Sequence, residues 1–359
     1  MFGIDERALR VIWTAFLFAL ALTLVYFIRD TILVFALAIF FAYMIWPVVG
    51  LVEKVIPKRR NWALALVYTS LVGLLVLIGF ELIPTIASQA TNLGTHLPKI
   101  LSGNRLATVP LPPMLEPLRA QVVTFVGERA SELGSRVVPF IQQIGTHVLT
   151  GLGALLPMIL VPILAFFFLK DGEHIRRNLL GAVDDGHDRS LLDLILDDVH
   201  SLLKNYIRAL VLMAIASFGA WAIFLSAMRY PYELLLAGLA GVMEFIPVIG
   251  PAAAGIIILI VSGTSGGGSL IWIIVFWGLY RVFADYVLNP YLMSSGVEVH
   301  PLLVLFGVLA GESIGGIPGM FFSIPAIAIA RVIFVRVRAS YKQQRNRQLR
   351  IDNAEVRRM

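Results

Sequence analysis

Glu244-Phe245-Ile246-Pro247-Val248-Ile249-Gly250-Pro251 lies inside an apolar segment that runs from about Leu234 to Val261, long enough to cross the hydrocarbon core of a bilayer. Pro247 and Pro251 each lack an N–H donor and clash with the preceding turn, so a continuous helix through both loses backbone hydrogen bonds that lipid cannot replace. The helix is therefore expected to break. Interrupted backbone at membrane depth is tolerated where it is buried in protein or lines a water-filled cavity, the arrangement by which many secondary transporters build a substrate or ion site.

Composition agrees with a membrane location. The chain has 359 residues, 58% hydrophobic and 14% charged, whereas an average soluble domain is about 25% charged. Its apolar runs are continuous rather than alternating, which selects helices over transmembrane strands. The formal net charge of +6 comes from basic residues gathered in short loops and at the C-terminus, a pattern of orientation signals and lipid contact rather than nucleic-acid binding. There are no cysteines, which excludes disulfides and thiolate metal sites.

Taken in order, the chain reads as an all-α integral membrane protein of about eight membrane segments. Residues 1–84 hold three transmembrane helices, with Lys54, Lys58, Arg59 and Arg60 marking the loop after the second as cytoplasmic, and the N-terminus with it. Residues 85–147 read as an extracytoplasmic helical region, 148–169 as the fourth transmembrane helix, and 170–205 as a cytoplasmic helical linker. His187 and His200 stand among aspartates in that linker but lack the tight spacing of metal ligands. A basic cytoplasmic tail, 336–359, ends the chain.

The transport core, 206–335, repeats the order span, broken segment, span, broken segment. The broken segments are 231–261 and 301–335. A shift of 70 residues aligns Pro231 with Pro301 and Leu239-Ala240-Gly241 with Leu309-Ala310-Gly311. If each is a re-entrant hairpin, the two units form an inverted repeat with the site at mid-membrane; eight plain spans are the alternative, and the two differ on which side Ser262 to Ser269 lies.

Glu244 and Glu312 fall inside the broken segments. A charged carboxylate at the bilayer centre costs about 3 kcal/mol on insertion scales, so such residues are protonated, paired or functional. Arg281 and Asp285 are one helical turn apart and favour an ion pair, and Asn289-Pro290 ends that span with a polar lining candidate. Gly263-Thr264-Ser265-Gly266 fits the short pattern of intramembrane serine proteases, but it sits in a linker-like run and no histidine lies on the next span. H-E-x-x-H, Walker and G-x-G-x-x-G patterns are absent. The chain is read as a non-enzyme that needs no cofactor or metal.

F-F-F-L-K-D-G at 166–172, P-Y-E-L-L-L-A-G-L-A-G-V-M-E-F-I-P-V-I-G-P at 231–251, N-P-Y-L-M-S-S-G-V-E-V-H-P-L-L-V-L at 289–305 and G-G-I-P-G-M-F-F-S-I-P at 315–325 closely resemble the autoinducer-2 exporter family, the PerM-like permeases. The resemblance covers nearly the whole chain and implies a multispan inner-membrane permease, a homo-oligomer that moves a small solute without ATP. Members of that family are linked to autoinducer-2 export and quorum sensing, others to sodium or lithium exchange for protons. By motif match, Glu244, Pro247, Gly250 and Pro251 fall on the family's acidic I-P-x-I-G-P element. Asn289, Pro290, His300, Pro301, Gly316, Gly319 and Pro325 fall on its C-terminal motif, while Glu312 stands where a less polar residue is expected.

The resulting expectation is a secondary transporter of a small polar or anionic solute coupled to protons or sodium, with Glu244, Pro247, Gly250, Pro251, Arg281, Asp285, Asn289, Glu312, Gly316, Pro318 and Gly319 as binding or coupling residues. A cation/proton antiporter, a passive channel and a non-transporting membrane scaffold are the rival readings.

Overall fold

The computed structural model describes residues 6–55, 61–71, scattered positions from 73 to 92, 155–264 except 185, 270–292 and 300–356. Residues 93–147 of the expected extracytoplasmic region lie outside the described residues, as does the linker from Ser265 to Ser269.

All regular structure among the described residues is helical, as long apolar runs demand when every backbone group must be satisfied within its own segment. Helix α1 (Glu6–Phe27) passes through Ile28 into α2 (Arg29–Val55), which keeps Pro47 inside it. A helical stretch at 61–71 packs back on α2 through Leu64 and Val67, together with Ala165 and Leu169 of α3 (Leu155–Gly181). Helix α4 (His187–Ala227) has 41 residues and at 1.5 Å per residue is about 60 Å long. The part of the expected cytoplasmic linker from His187 onward and the following span are thus one continuous rod, while residues 170–181 close α3; from Tyr206 to Ala227 the rod is apolar apart from Arg208 and a few small polar residues.

The segment 231–261 is broken where its prolines require. Helix α5 (Glu233–Met243) and helix α6 (Ile249–Thr264) flank a turn at Glu244 to Val248, and the two pack on each other through Leu236, Ala237, Ala240, Ala254 and Ile258. Their 11 and 16 residues give arms of about 16 and 24 Å, each short of the ~30 Å core. The first arm is tied at its start by Gln89, whose Oε1 accepts the Leu235 N–H at 3.0 Å. Helix α7 (Leu270–Phe283) continues through a π-helical turn, Ala284–Leu288, into the short α8 (Asn289–Leu292).

Helix α9 (Pro301–Val356) reverses within itself. Gly315 and Gly316 leave helical geometry, Gly316 with φ +58°. A Cβ built on Gly307 would lie 2.3 Å from Ile327 Cδ1. In a straight helix residues twenty apart are about 30 Å apart, so the arms before and after Gly316 run side by side. The break precedes Pro318 by two residues instead of centring on it. Pro318 then occupies the first turn of the second arm, where a missing N–H costs nothing.

Five helices among the described residues are long and apolar enough to cross a membrane: Leu9–Phe27, Arg29–Lys54, His187–Ala227, Leu270–Leu292 and Pro301–Asn346. The chain is a multi-pass helical membrane protein. The core cluster joins α4, α5, α6 and α7 through Trp221, Leu236, Ala240, Ile258 and Ile273, and so holds the first hairpin between two long helices.

Candidate functional site

Three elements bring polar groups together. Ser217 lies about 16 Å along α4 from Tyr206 and about 15 Å from Ala227, the centre of the apolar half of that helix. Arg281 lies at the middle of the Leu270–Leu292 span. Glu244 caps the inner end of α5 at the hairpin turn and hydrogen-bonds Ser217. The neighbouring Phe245 packs edge-on against Phe40, ring centroids 5.9 Å apart, and Phe40 is about 16 Å along α2 from Arg29. Each of these distances along a helix is about half the ~30 Å thickness of a hydrocarbon core.

The Glu244 side chain is 6% exposed, and Arg281 NH1 donates to its Oε1 at 3.4 Å. Arg281 also binds Asp285 in bidentate fashion: Nε donates to Oδ2 at 2.8 Å and NH2 donates to Oδ1. The π turn that begins at Ala284 carries Asp285 as its second residue; such turns recur at functional sites because they re-aim a side chain. Two carboxylates thus share one guanidinium, and the cluster carries one formal negative charge when both are ionised.

Around the cluster Ser217, Trp221, Ala240, Pro251, Ala254, Trp277 and Tyr280 close a void of about 10 Å³ beside Glu244 and Arg281, roughly one water. The Tyr280 hydroxyl is buried and has no hydrogen-bond partner of good geometry among the described residues. Gly250 permits the turn: a Cβ there would lie 1.8 Å from the Met243 carbonyl oxygen. Gly255 lets the Trp277 ring lie on α6, since its Cβ would meet Trp277 Cε2 at 2.2 Å.

Of the residues expected to form the site, the structure gathers Glu244, Pro251, Arg281 and Asp285, with Pro247 and Gly250 shaping the turn. Asn289 opens α8, half-buried, and does not line the void. Glu312, Gly316 and Pro318 are exposed at the tip of the second reversal, with Gly319 half-buried beside them, and none lines the void. The two broken segments meet elsewhere, through Phe245 and Phe321, whose centroids are 5.6 Å apart, with Phe40 as the third ring, 4.8 Å from Phe321. Ser217 and Tyr280 were not singled out from the sequence. A serine inside an apolar span and a tyrosine beside an arginine are too common to mark a site until α4 and α7 are placed against the hairpin.

Among the described residues no group of three or more His, Cys, Asp or Glu is arranged to hold a metal. The charged ends of the helices are joined by ion pairs. Arg176 NH1 and NH2 donate to Asp197 and Asp193 at 2.6 and 2.5 Å, contacts that raise its guanidinium above the usual arginine range. Arg336 Nε donates to Asp198 Oδ2 at 2.5 Å, and His187 Nε2 lies 2.5 Å from Ser340 Oγ.

The sequence is similar to proteins across bacteria and archaea. A protein of Bacillus subtilis (strain 168), "Putative transport protein YueF", is 25% identical over 346 residues, covering 90% of this chain and 91% of its own. "Putative permease PerM" of Escherichia coli (strain K12) is 27% identical over 326 residues, covering 86% and 88%. "Putative transport protein MJ1177" of Methanocaldococcus jannaschii is 24% identical over 317 residues, covering 84% and 88%. The family model described as AI-2E family transporter matches residues 15–339, which contain both reversals and the whole Glu244 cluster. The chain belongs to the AI-2E transporter family.

Proposed function

We propose that this protein is a secondary transporter of a small polar or anionic solute, autoinducer-2-like in class, driven by a proton or sodium gradient, and that the Glu244–Arg281–Asp285 cluster is its coupling site. The observation that carries the reading is the charge count of the cluster: two carboxylates against one guanidinium. A bare negative charge at mid-membrane, where this reading places it, is costly, by about 3 kcal/mol on insertion scales and more on others. Binding one proton or monovalent cation neutralises the cluster, and releasing it restores the charge. A carrier needs such a two-state group if solute movement is to follow an ion gradient. The names of its relatives, permease and transport protein, point the same way.

Tyr280 supplies the other half. Where α5 ends and α6 begins, the Ile249 and Gly250 N–H groups already bond the Pro247 and Ile246 carbonyls and Pro251 has no N–H, so in this reading an anionic or hydroxylated solute is met beside the ion site by the buried Tyr280 hydroxyl, unpartnered among the described residues. In this reading the two hairpins are inverted copies dipping from opposite faces of an inner membrane, with both termini cytoplasmic, and the protein works as a homo-oligomer. Phe40, Phe245 and Phe321 form the contact through which one hairpin senses the other.

The test is flux in proteoliposomes across imposed proton and sodium gradients, scanning small anionic and hydroxylated solutes. Glu244→Gln is expected to preserve folding and remove gradient-driven uptake. Undiminished coupled flux with an unchanged pH dependence in that variant would rule out the assignment.

A further inference from the structure

Away from the Glu244 cluster, α2, α3 and α4 line a second and much larger cavity, open on one side and about 490 Å³ in volume, within the range of small-molecule sites. It lies where the apolar parts of these helices give way to charge. Tyr43, Trp46 and Phe168 contribute aromatic rings to its wall. His200 is packed among them, its ring centroid 5.3 Å from that of Tyr43 and 5.5 Å from that of Trp46, with Nδ1 2.8 Å from the Tyr43 hydroxyl. The remainder of the wall is mostly aliphatic.

The charged groups on the wall are Glu173 and Arg176. Both terminal nitrogens of Arg176 are taken by Asp193 and Asp197. Glu173 has no ion-pair partner among the described residues and is exposed. The charged side chain on the wall that is left without a partner among the described residues is therefore an acid, Glu173, while the wall's one guanidinium is held by Asp193 and Asp197. An anion entering this cavity meets acids and an arginine already paired. A neutral acyl chain satisfies the aliphatic wall and leaves the aromatic rings and Glu173 unused.

We propose that this cavity binds an amphiphilic organic cation, a quaternary ammonium or phosphonium group on an apolar body. Aromatic rings attract such a cation through the negative potential of their faces and do not have to strip a tightly held hydration shell. Glu173 supplies the opposite charge, and the aliphatic wall takes the body. The location suits the ligand, since amphiphiles concentrate where apolar and charged surfaces meet, and anionic lipid enriches cations there. Nothing in the argument depends on the Glu244 cluster or on coupled transport.

The experiment uses the full chain in nanodiscs of zwitterionic lipid and compares radiolabelled tetraphenylphosphonium with tetraphenylborate, a probe of the same shape and opposite charge. Saturable phosphonium binding at one site per chain is expected, with tetraphenylborate at least tenfold weaker. Glu173→Gln, a surface change that leaves packing intact, is expected to weaken phosphonium binding about tenfold. Trp46→Ala should do the same and Trp46→Phe should recover most of it, while Glu244→Gln leaves the affinity unchanged. Equal or tighter borate binding, absence of saturable binding, or full affinity in Glu173→Gln overturns the proposal. Phosphonium binding lost only on adding anionic phospholipid, with the Trp46 and Glu173 variants behaving like the parent protein, overturns it in favour of a lipid site.

Discussion

Gly311 and Gly319 face each other across the second reversal, so closely that a Cβ on Gly311 would lie 2.3 Å from the Gly319 carbonyl oxygen and one on Gly319 would lie 2.0 Å from that of Gly311. Eight residues apart in sequence, they would be about 12 Å apart in a continuous helix. Their contact is what turns one helical stretch of 46 residues, Pro301–Asn346, into two arms. Backbone rather than flexible side chain is the obstacle, so the arms must separate if either glycine gains a side chain. Gly319→Ala is expected to lower stability by about 1–3 kcal/mol, read as a drop in Tm of the purified protein. Gly278→Ala, at a helical position with open space around it, should be neutral or raise stability by up to about 1 kcal/mol. Equal melting of the two variants would mean that the arms are not in contact.

The Glu244 cluster predicts an asymmetry between its members. Arg281→Gln strands a buried Glu244 without its partner and leaves Asp285 unpaired nearby. Breaking a buried pair from one side typically costs about 3–5 kcal/mol. Glu244→Gln leaves Arg281 bound to Asp285 and removes the excess charge, so its cost should be near zero or slightly favourable. The double variant Arg281→Gln with Glu244→Gln should recover most of the loss. Thermal unfolding of all three in one detergent checks the order, and an Arg281→Gln protein as stable as Glu244→Gln would contradict the pairing.

Val248 and Val242 make a matched pair. Both are exposed, 61% and 60%, and six positions apart, but Val248 sits in the hairpin turn at φ +64° while Val242 is helical. A β-branched residue in left-handed geometry carries about 1–3 kcal/mol of strain. Val248→Gly should therefore raise stability by up to about 1 kcal/mol after the entropic penalty of glycine, whereas Val242→Gly should lower it by about 0.3–0.5 kcal/mol. Tm shifts of opposite sign are the expected result.

These contrasts mark what could be read from the chain and what could not. The first break was legible because Pro247 and Pro251 lack donors, a local fact independent of packing. The second was legible in kind from Gly315-Gly316-Ile317-Pro318-Gly319, but its centre was not, since proline is as much at home in a first turn as at a break and only the arms' contact decides. Arg281 with Asp285 followed from helical spacing. Arg281 with Glu244 did not, because 37 residues and the linker from Ser265 to Ser269 separate them and no periodicity encodes which faces of α5 and α7 meet. The same holds for Ser217 and for Tyr43 with His200, 157 residues apart.

The inverted-repeat reading makes a topological prediction. If both broken segments re-enter, the linker between α6 and α7 lies on the outer face; if they span, it is cytoplasmic. The chain has no native cysteine, so Ser265→Cys supplies a single thiol. Labelling by a membrane-impermeant maleimide in intact cells, before lysis, is the expected outcome. Labelling only after permeabilisation would instead favour full spans.

The two acids of the broken segments should behave differently although the sequence treats them alike. Glu244 is 7% exposed, bonded to Ser217 and paired with Arg281. Glu312 is exposed beside Gly315, where a Cβ would touch Leu33, and Leu33 is only about 6 Å along α2 from Arg29, near the end of that helix. A carboxylate so near a helix end reaches water or headgroups and has no need of a proton or partner, whereas one at mid-depth does. Glu312→Gln is accordingly expected to retain gradient-driven flux within about twofold and to keep its pH dependence, while Glu244→Gln loses both. Glu244→Asp, which keeps the charge but draws it back by a methylene from Arg281, should fall between, with flux reduced and still responsive to the gradient. Loss of flux in Glu312→Gln comparable to that in Glu244→Gln would place both acids on the coupling path and would require the second hairpin tip to move to mid-depth during transport.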